Sequence, residues 1–400
     1  MSTAADIHDS ALRHIVFVQY GDYAEAVHRF AAGGKENYYA QKYSVDHVAF
    51  LAARYGTVTV ITFSRDHPFE LLPNGVGARG VLLYPSGGKA RHHELLRALE
   101  EMKPTDVILV APIRSVLHWA VRRRVRTLPL FADSFLASGW KARLKEWLLA
   151  RVLNDRHFSW VANHHIAASQ ELARIGVDPH KILPFDWPPI VSPRDYAPKD
   201  APAGAPFKLL YVGQLSEAKG IGDALRALHL LPGCTLTVIG GGADELSLQA
   251  MSENNAIAGQ VTFHGVLPHD QVLEMMRAHD AVLVPSRHEY PEGLPFTIYE
   301  ALCTRTPVVA SDHPMFLRRL VRDQNALVFK AAAPASLAAA VQRLMTHPDL
   351  YRALSKATGE AAENYLCPLR LHDLINIWLQ GDAEGDAYLS SFSLAGHAYV

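Results

Sequence analysis

The chain has 400 residues, nearly half of them apolar and a fifth charged, with a formal net charge of -1. That length fits two domains of ordinary size, with apolar material for two cores. The near-zero charge gives no sign of a nucleic-acid partner. Three scattered cysteines (Cys234, Cys303, Cys367) show no pairing pattern, which fits a reducing compartment without a disulfide framework. No apolar run reaches the roughly 18 residues of a membrane span, and "MSTAADIHDSALRHIVFVQY" lacks the basic start of a signal peptide. The expected location is therefore cytoplasmic. The 21 histidines include adjacent pairs at 92–93 and 164–165 but no spacing typical of a metal site, so neither a metal nor another cofactor is expected.

Strand and helix signals alternate through the first half. "HIVFVQY" (14–20) predicts a strand, "SVDHVAFLAARYG" (44–56) a helix ending on Gly56, and "TVTVITF" (57–63) a second strand. "HELLRALEEM" (93–102) predicts a helix and "DVILVAP" (106–112) a third strand. "RTLPLFADS" and "WVANHHIAAS" continue the pattern. Strands this uniformly apolar are buried on both faces, as in a parallel sheet flanked by helices. The stretch 187–206, "WPPIVSPRDYAPKDAPAGAP", holds six prolines and little periodicity, and reads as an interdomain linker.

After it the alternation restarts: "FKLLYVG", helix, "CTLTVIGGG", helix, "VTFHG", helix, "AVLVPS", helix, "TPVVAS". The fold class expected is α/β, with two doubly wound, Rossmann-like domains facing across a cleft. The expected bounds are an N-terminal domain over 1–190, a linker over 191–206 and a second domain over 207–365. Residues 366–400 are expected to form a C-terminal helix returning to the first domain, and a Gly/Ser/Ala-rich tail without an evident role.

Ligands of open α/β sheets sit at the carboxyl ends of the strands, so the strand-end loops carry the chemistry. "LLYVGQLSEAKGIGDALRALHLL" (209–231) ends a strand at Gly213 and starts a helix near Gly220, with Lys219 at its mouth. A helix start suits phosphate and a lysine adds a full charge; the alternative is a plain turn with a solvated lysine. "VIGGGADEL" (238–246) repeats the strand–glycine–helix theme. Neither is a Walker loop or a dinucleotide fingerprint, which disfavours a nicotinamide enzyme.

"RHEYPEGLPFTIYEALCTRT" then joins a buried strand to a helix, placing Glu292 and Glu300 on either side of a Gly-Leu-Pro turn. One reading is structural: Thr297 and Glu300 form a capping box, and Glu292 is a surface acid. The other places both carboxylates on two hydroxyl-bearing groups of one ligand. Backbone N–H groups around 294–297 would then face an anionic bridge.

Four pieces in this order resemble the donor domain of the GT-B-fold retaining glycosyltransferases, the large family-four group. They are "GQLSEAKG", "VIGGG", "VTFHGVLPHDQVLEMMRAHDAVLVPS" and "EGLPFTIYEALCTRTPVVAS", the last resembling its Glu-x7-Glu motif. "GGKEN" (33–37) resembles the family's acceptor-side loop, here Gly33, Gly34, Lys35 and Glu36, and "AASQELARIGVDPHKILPF" its last helix before the crossover. The resemblance covers most of the chain and fades after about residue 370.

It implies a hexose-type sugar moved from a nucleotide diphosphate sugar to a hydroxyl acceptor, with anomeric configuration retained and without a metal. Glu292 would bind hydroxyls of the transferred sugar, Glu300 the ribose, and Lys219 the diphosphate. The backbone over Leu294, Pro295, Phe296 and Thr297 would support sugar and phosphate. Gly213 opens the donor loop, and Val266 would lie against the base. Gln214 stands where the family usually has Arg, and an amide cannot make a bidentate phosphate contact. Where many members have a His, "PLFADSF" offers Asp133 as a candidate catalytic carboxylate in the cleft, near the acceptor hydroxyl or the reacting carbon; the alternative is a helix N-cap at Asp133 or Ser134. Rival readings are a GT-B epimerase or phosphorylase, a non-catalytic nucleotide-sugar binding protein, and an inactive scaffold.

Between Arg114 and His157 eight arginines and two lysines face three acids. Within it, "GWKARLKEWLLARVLND" (139–155) sets Trp140, Leu144, Trp147, Leu148 and Val152 on one stripe and Lys141, Arg143 and Lys145 on the other face. Such a helix reads as a membrane-surface element or as a surface helix packing its apolar stripe on the sheet. The resemblance favours the membrane, since many relatives act on lipid-linked acceptors.

Overall fold

The computed structural model describes residues 13–85, 90–135, 139–204, 206–254, 257–293 and 295–399. They form two compact units, one comprising residues up to 35, 40–187 and 367–400, the other residues 36–39 and 188–366.

Among the described residues, the first unit is built on an eight-stranded sheet. Its strands are β1 (Arg13–Gln19), β2 (Gly56–Thr62), β3 (His67–Leu71), β4 (Gly77–Gly80), β5 (Asp106–Leu109), β6 (Arg126–Phe131), β7 (Val161–His164) and β8 (Ile182–Phe185). Their order across the sheet is β3-β4-β2-β1-β5-β6-β7-β8, and only β3 runs antiparallel to its neighbour. In β1, Ile15 and Phe17 join one apolar cluster and Val16 and Val18 another on the opposite face. Burial on both faces is why this strand reads as an unbroken apolar run. The hairpin β3–β4 escapes such a reading: Phe69 and Leu71 are exposed and β4 is "GARG". The helix Tyr23–Ala31, capped by Asp22, likewise precedes the glycines at 33–34 without having been expected.

The C-terminal residues of this unit are packed. Leu374, Ile375, Trp378 and Leu379, from the helix Leu371–Gln380, share a core with Ile15 and Phe17. Residues 381–399, for which the sequence offers no role, include a helix Ala383–Ser391 capped by Asp382. Trp160 donates to Asp386 at 2.9 Å, and Leu389 is buried in the same core.

The second unit has six strands among the described residues: β9 (Phe207–Val212), β10 (Cys234–Ile239), β11 (Val261–Phe263), β12 (Ala281–Val284), β13 (Val308–Ser311) and β14 (Leu327–Phe329). All pair in parallel in the order β11-β10-β9-β12-β13-β14. The chain winds outward from β9 in one direction and from β12 in the other. The strand order therefore reverses between β9 and β12, the point where such sheets bind ligands. The proline-rich stretch after residue 187 is tied into this unit. Tyr299 donates to Val191 O, Arg305 to Pro193 O and Tyr196 O, and Lys199 N to Ser355 Oγ.

Candidate functional site

Two loops emerge at the reversal point of the second unit. The first follows β9. Gly213 bonds back to Ile239 O, a short 3-10 turn covers Glu217–Lys219, and Gly220 starts the helix Ile221–Leu228. Gly220 has φ 74°, and a Cβ there would overlap the Pro285 carbonyl at the end of β12. Only glycine lets the two loops approach this closely. The second loop follows β12 and leads through Glu292 to the helix Phe296–Cys303.

Glu292 and Lys219 meet there. Lys219 Nζ lies 2.6 Å from Glu292 Oε1, and Ser286 donates to the same oxygen at 2.5 Å. Glu292 is 5% exposed, so this is no surface acid. The Lys219 ammonium also sits over the Tyr290 ring, 4.3 Å from its centroid. Tyr290 Oη donates to Gln214 Oε1 at 3.1 Å, while Tyr211 Oη donates to Gln214 O at 2.7 Å. Burial, and then Glu292, push the Tyr290 phenol above its ordinary range, so it acts as a neutral donor. Arg287 does not stand in for the family's missing arginine at 214. Its guanidinium is held by Asp223 at 2.8 and 2.9 Å and by Glu217 at 2.6 Å.

The capping box expected from Thr297 and Glu300 is not formed. Pro295 is the N-cap, and Thr297, already inside the helix, donates to Val212 O at the end of β9 at 3.4 Å. Glu300 turns to His269, whose Nε2 lies 2.6 Å from Oε1. Burial pushes the Glu300 carboxyl up, opposed by His269. Burial alone would lower His269, but the hydrogen bond and charge of Glu300 outweigh it and raise the imidazole. Phe296 stacks flat on Tyr39, centroids 4.2 Å apart. Val266 follows Gly265 after β11 and is 61% exposed; a Cβ added at Gly241, in the glycine turn after β10, would lie 3.5 Å from its Cγ2. Leu294 lies outside the described residues.

The other expected residues fall elsewhere. Gly33, Gly34 and Lys35 belong to the first unit, where Gly34 N bonds to Arg29 O and the Arg29 guanidinium holds Lys35 O; Glu36 belongs to the second. Asp133 follows β6 in the first unit. No described helix starts at Asp133 or Ser134; the next is Trp140–Leu153, with Gly139 as its N-cap. Asp133 Oδ2, Ser134 Oγ and Asn163 Oδ1 are buried without hydrogen-bond partners among the described residues, while Asn163 Nδ2 donates to Asp133 O. Burial pushes the Asp133 carboxyl up to about 6.

On the helix Trp140–Leu153 the expected packing stripe is split. Glu146, Leu149, Ala150, Val152 and Leu153 face inward. Trp140, Leu144 and Trp147 are 72%, 48% and 51% exposed, beside the exposed Lys141, Arg143 and Lys145. Periodicity alone did not reveal Ser286, Tyr290, His269 or Tyr39. The first three are signalled only by following strands, in "VPS", "HEYPEG" and "LPHD", and Tyr39, between two helices, by nothing local. Among the described residues, no three His, Cys, Asp or Glu side chains gather as a metal site, and no helix is long and apolar enough to cross a membrane.

Two Rossmann-like units of this build define the GT-B fold, and solved glycosyltransferase structures share it. Anabaena Alr3699/HepE, solved with UDP and glucose, superposes with a TM-score of 0.65 over 92% of this chain and 100% of its own, at 15% identity. Sucrose-phosphate synthase from Thermosynechococcus elongatus gives 0.63 over 88% and 95%, at 17% identity. Residues 194–361 match the family model described as glycosyl transferases group 1. A glycogen synthase of Mycobacterium tuberculosis is 33% identical over 163 residues, 40% of this chain and 39% of its own length. The lipopolysaccharide core glycosyltransferase LpsE of Rhizobium meliloti is 28% identical over 168 residues, 42% of this chain and 47% of its own. The chain thus matches about two fifths to a half of the length of these relatives.

Proposed function

We propose that the chain is a retaining glycosyltransferase moving a hexose-type sugar from a nucleoside diphosphate sugar to a hydroxyl acceptor. The observation that carries this is the convergence of Lys219, Ser286, Glu292 and Tyr290 where the strand order reverses. Glu292 is the carboxylate for the sugar hydroxyls, Glu300 for the ribose, and Val266 lies against the base. Gly213 and Gln214 form the loop beside the diphosphate. Pro295, Phe296 and Thr297 open a helix whose first N–H groups suit phosphate oxygens. The leaving diphosphate develops charge as the glycosidic bond breaks, and Lys219 with that helix start meets it without a metal ion. The leaving phosphate then helps to take the acceptor proton during front-face attack.

Acceptor recognition is assigned to the loop Gly33–Glu36 and to Asp133, whose raised carboxyl suits a proton acceptor near neutrality. The helix Trp140–Leu153 supports a further part of the reading. Two exposed tryptophans beside Lys141, Arg143 and Lys145 fit an anionic membrane surface and a lipid-linked or glycoconjugate precursor as acceptor. One similar protein, LpsE of Rhizobium meliloti, is described as a lipopolysaccharide core biosynthesis glycosyltransferase.

The test is incubation with a panel of nucleotide sugars, reading nucleoside diphosphate release with and without glycan acceptors. Release by the wild type that is lost in Glu292→Gln with the fold intact supports the transferase. Binding without turnover favours a nucleotide-sugar binding protein, and full activity in Glu292→Gln removes the site assignment.

A further inference from the structure

Glu300 is 4% exposed, on the first turns of the helix Phe296–Cys303. A buried carboxylate needs a matched donor to remain ionised and to stay in one rotamer. Here the donor is His269 Nε2, at 2.6 Å from Oε1. The segment 36–39, part of the same unit, meets His269 at both its backbone and its ring. His269 N donates to Glu36 O at 3.2 Å, and the Tyr39 ring meets the imidazole edge-on with centroids 5.8 Å apart. Tyr39 is anchored in turn, stacking on Phe296 and donating to Pro188 O at 2.8 Å. The charged groups acting on the imidazole are Glu300 from the helix Phe296–Cys303, Glu36 from this segment and Asp270 from its own helix. All are acidic, so they favour an imidazolium.

With Oε1 engaged by His269 and no donor to Oε2 among the described residues, Oε2 is the oxygen of Glu300 left to accept from a ligand. A carboxylate oxygen has lone pairs for two donors, and a vicinal diol supplies two. We infer that His269 is a positioning residue for nucleoside recognition, aiming Glu300 Oε2 at the ribose hydroxyls of a nucleoside diphosphate. The inference rests on the assignment of Glu300 to the ribose. The imidazole touches no reacting atom. It sets which carboxylate oxygen is available and keeps the side chain in one orientation.

Calorimetric titration of UDP, GDP and ADP identifies the tightest ligand, which is then compared with its 2′,3′-dideoxy counterpart. The wild type is expected to prefer the ribose form by about tenfold or more, as for lost hydrogen bonds to a charged buried group. His269→Leu should weaken the ribose form about tenfold while leaving the dideoxy form within about threefold, so discrimination collapses. His269→Gln, whose amide N–H reaches the place of Nε2, should restore most of it. His269→Asn ends about one bond short and should lose discrimination too, which keeps a polar loss variant in hand if the leucine protein does not fold. Equal loss for both ligands, or discrimination untouched in the leucine and asparagine proteins, overturns the positioning role alone. A wild type that binds none of the three diphosphates overturns the nucleotide-sugar reading itself. One that binds them without discrimination overturns the ribose assignment and this inference with it.

Discussion

Replacing Glu292 by glutamine tests the centre of the proposed donor site. The carboxylate is 5% exposed and accepts from Ser286 at 2.5 Å and from Lys219 at 2.6 Å. Glutamine keeps the shape and one acceptor oxygen but removes the charge. Breaking a buried pair from one side costs roughly 3–5 kcal/mol when the remaining charge is left unmatched. Two features reduce that figure. The Lys219 side chain is 16% exposed, and its ammonium keeps the face of Tyr290, a contact worth about 0.5–2 kcal/mol. A loss of about 2 kcal/mol follows, or about 4–8 °C in the melting of a unit of this size. The opposite truncation, Lys219→Met, leaves the more deeply buried carboxylate unpaired and should cost more, about 3–5 kcal/mol. The double variant should cost less than the sum of the two, with a coupling energy of about 1–3 kcal/mol. Activity should respond on a different scale. A charged acceptor on a sugar hydroxyl is worth about 1.5–3 kcal/mol, so transfer should fall at least tenfold and up to more than a hundredfold in Glu292→Gln. Thermal melts of the four proteins and nucleoside diphosphate release from the sugar panel give both numbers. Additive stability losses would show that the pair is not coupled. Glu292→Gln turning over at the wild-type rate would refute the site.

Gly220→Ala should destabilise the second unit by about 2 kcal/mol or more, because the backbone is left-handed there and the new Cβ meets the Pro285 carbonyl; a melt unchanged within about 1 °C counts against that packing. Asp133→Asn should move stability and activity in opposite directions. The folded carboxyl is raised to about 6, so ionisation above that pH burdens the native state, and the burden is relieved as pH falls towards the unfolded value near 4. The asparagine protein should therefore melt higher than wild type at pH 7.5, with the gain fading towards pH 4. If Asp133 serves the acceptor, the same protein should transfer at least tenfold more slowly. Trp140→Ala combined with Trp147→Ala should abolish co-sedimentation with anionic vesicles at low salt while shifting the melt by less than about 2 °C, since both rings are exposed; wild type that fails to co-sediment removes the membrane surface. In the first unit, Asp106→Asn should cost about 3–5 kcal/mol, because the buried carboxylate takes Arg13 at 3.0 and 3.1 Å and Arg126 at 3.4 Å, and urea titration reads it.

Strands such as β1 and β9 were legible because both of their faces are buried. "HIVFVQ" and "FKLLYV" leave no polar alternation because helices or loops cover either side, and a short apolar run states this locally. The β3–β4 hairpin was not legible, since its apolar residues point to solvent and its partner strand is mostly glycine and small or charged residues. The loops at the ends of β9 and β12 could be singled out because glycine and proline punctuate them, and because a helix start attracts anions whatever surrounds it. Local patterning carries two α/β halves, with carboxylates and a lysine placed at strand ends. Only the tertiary structure decided the partners. Thr297 and Glu300 have the spacing of a capping box, yet a buried carboxylate is stabilised more by a nearby imidazole than by a backbone N–H, so Glu300 goes to His269 and Thr297 to Val212. Lys219 and Glu292 lie 73 positions apart, and nothing in either segment encodes their pairing. It follows from β9 lying beside β12, a fact of strand order that one-dimensional patterning does not carry. The tryptophans at 140 and 147 make the same point from the surface. Helical spacing put them on an apolar stripe, and packing against the sheet decided that the buried face is the neighbouring one.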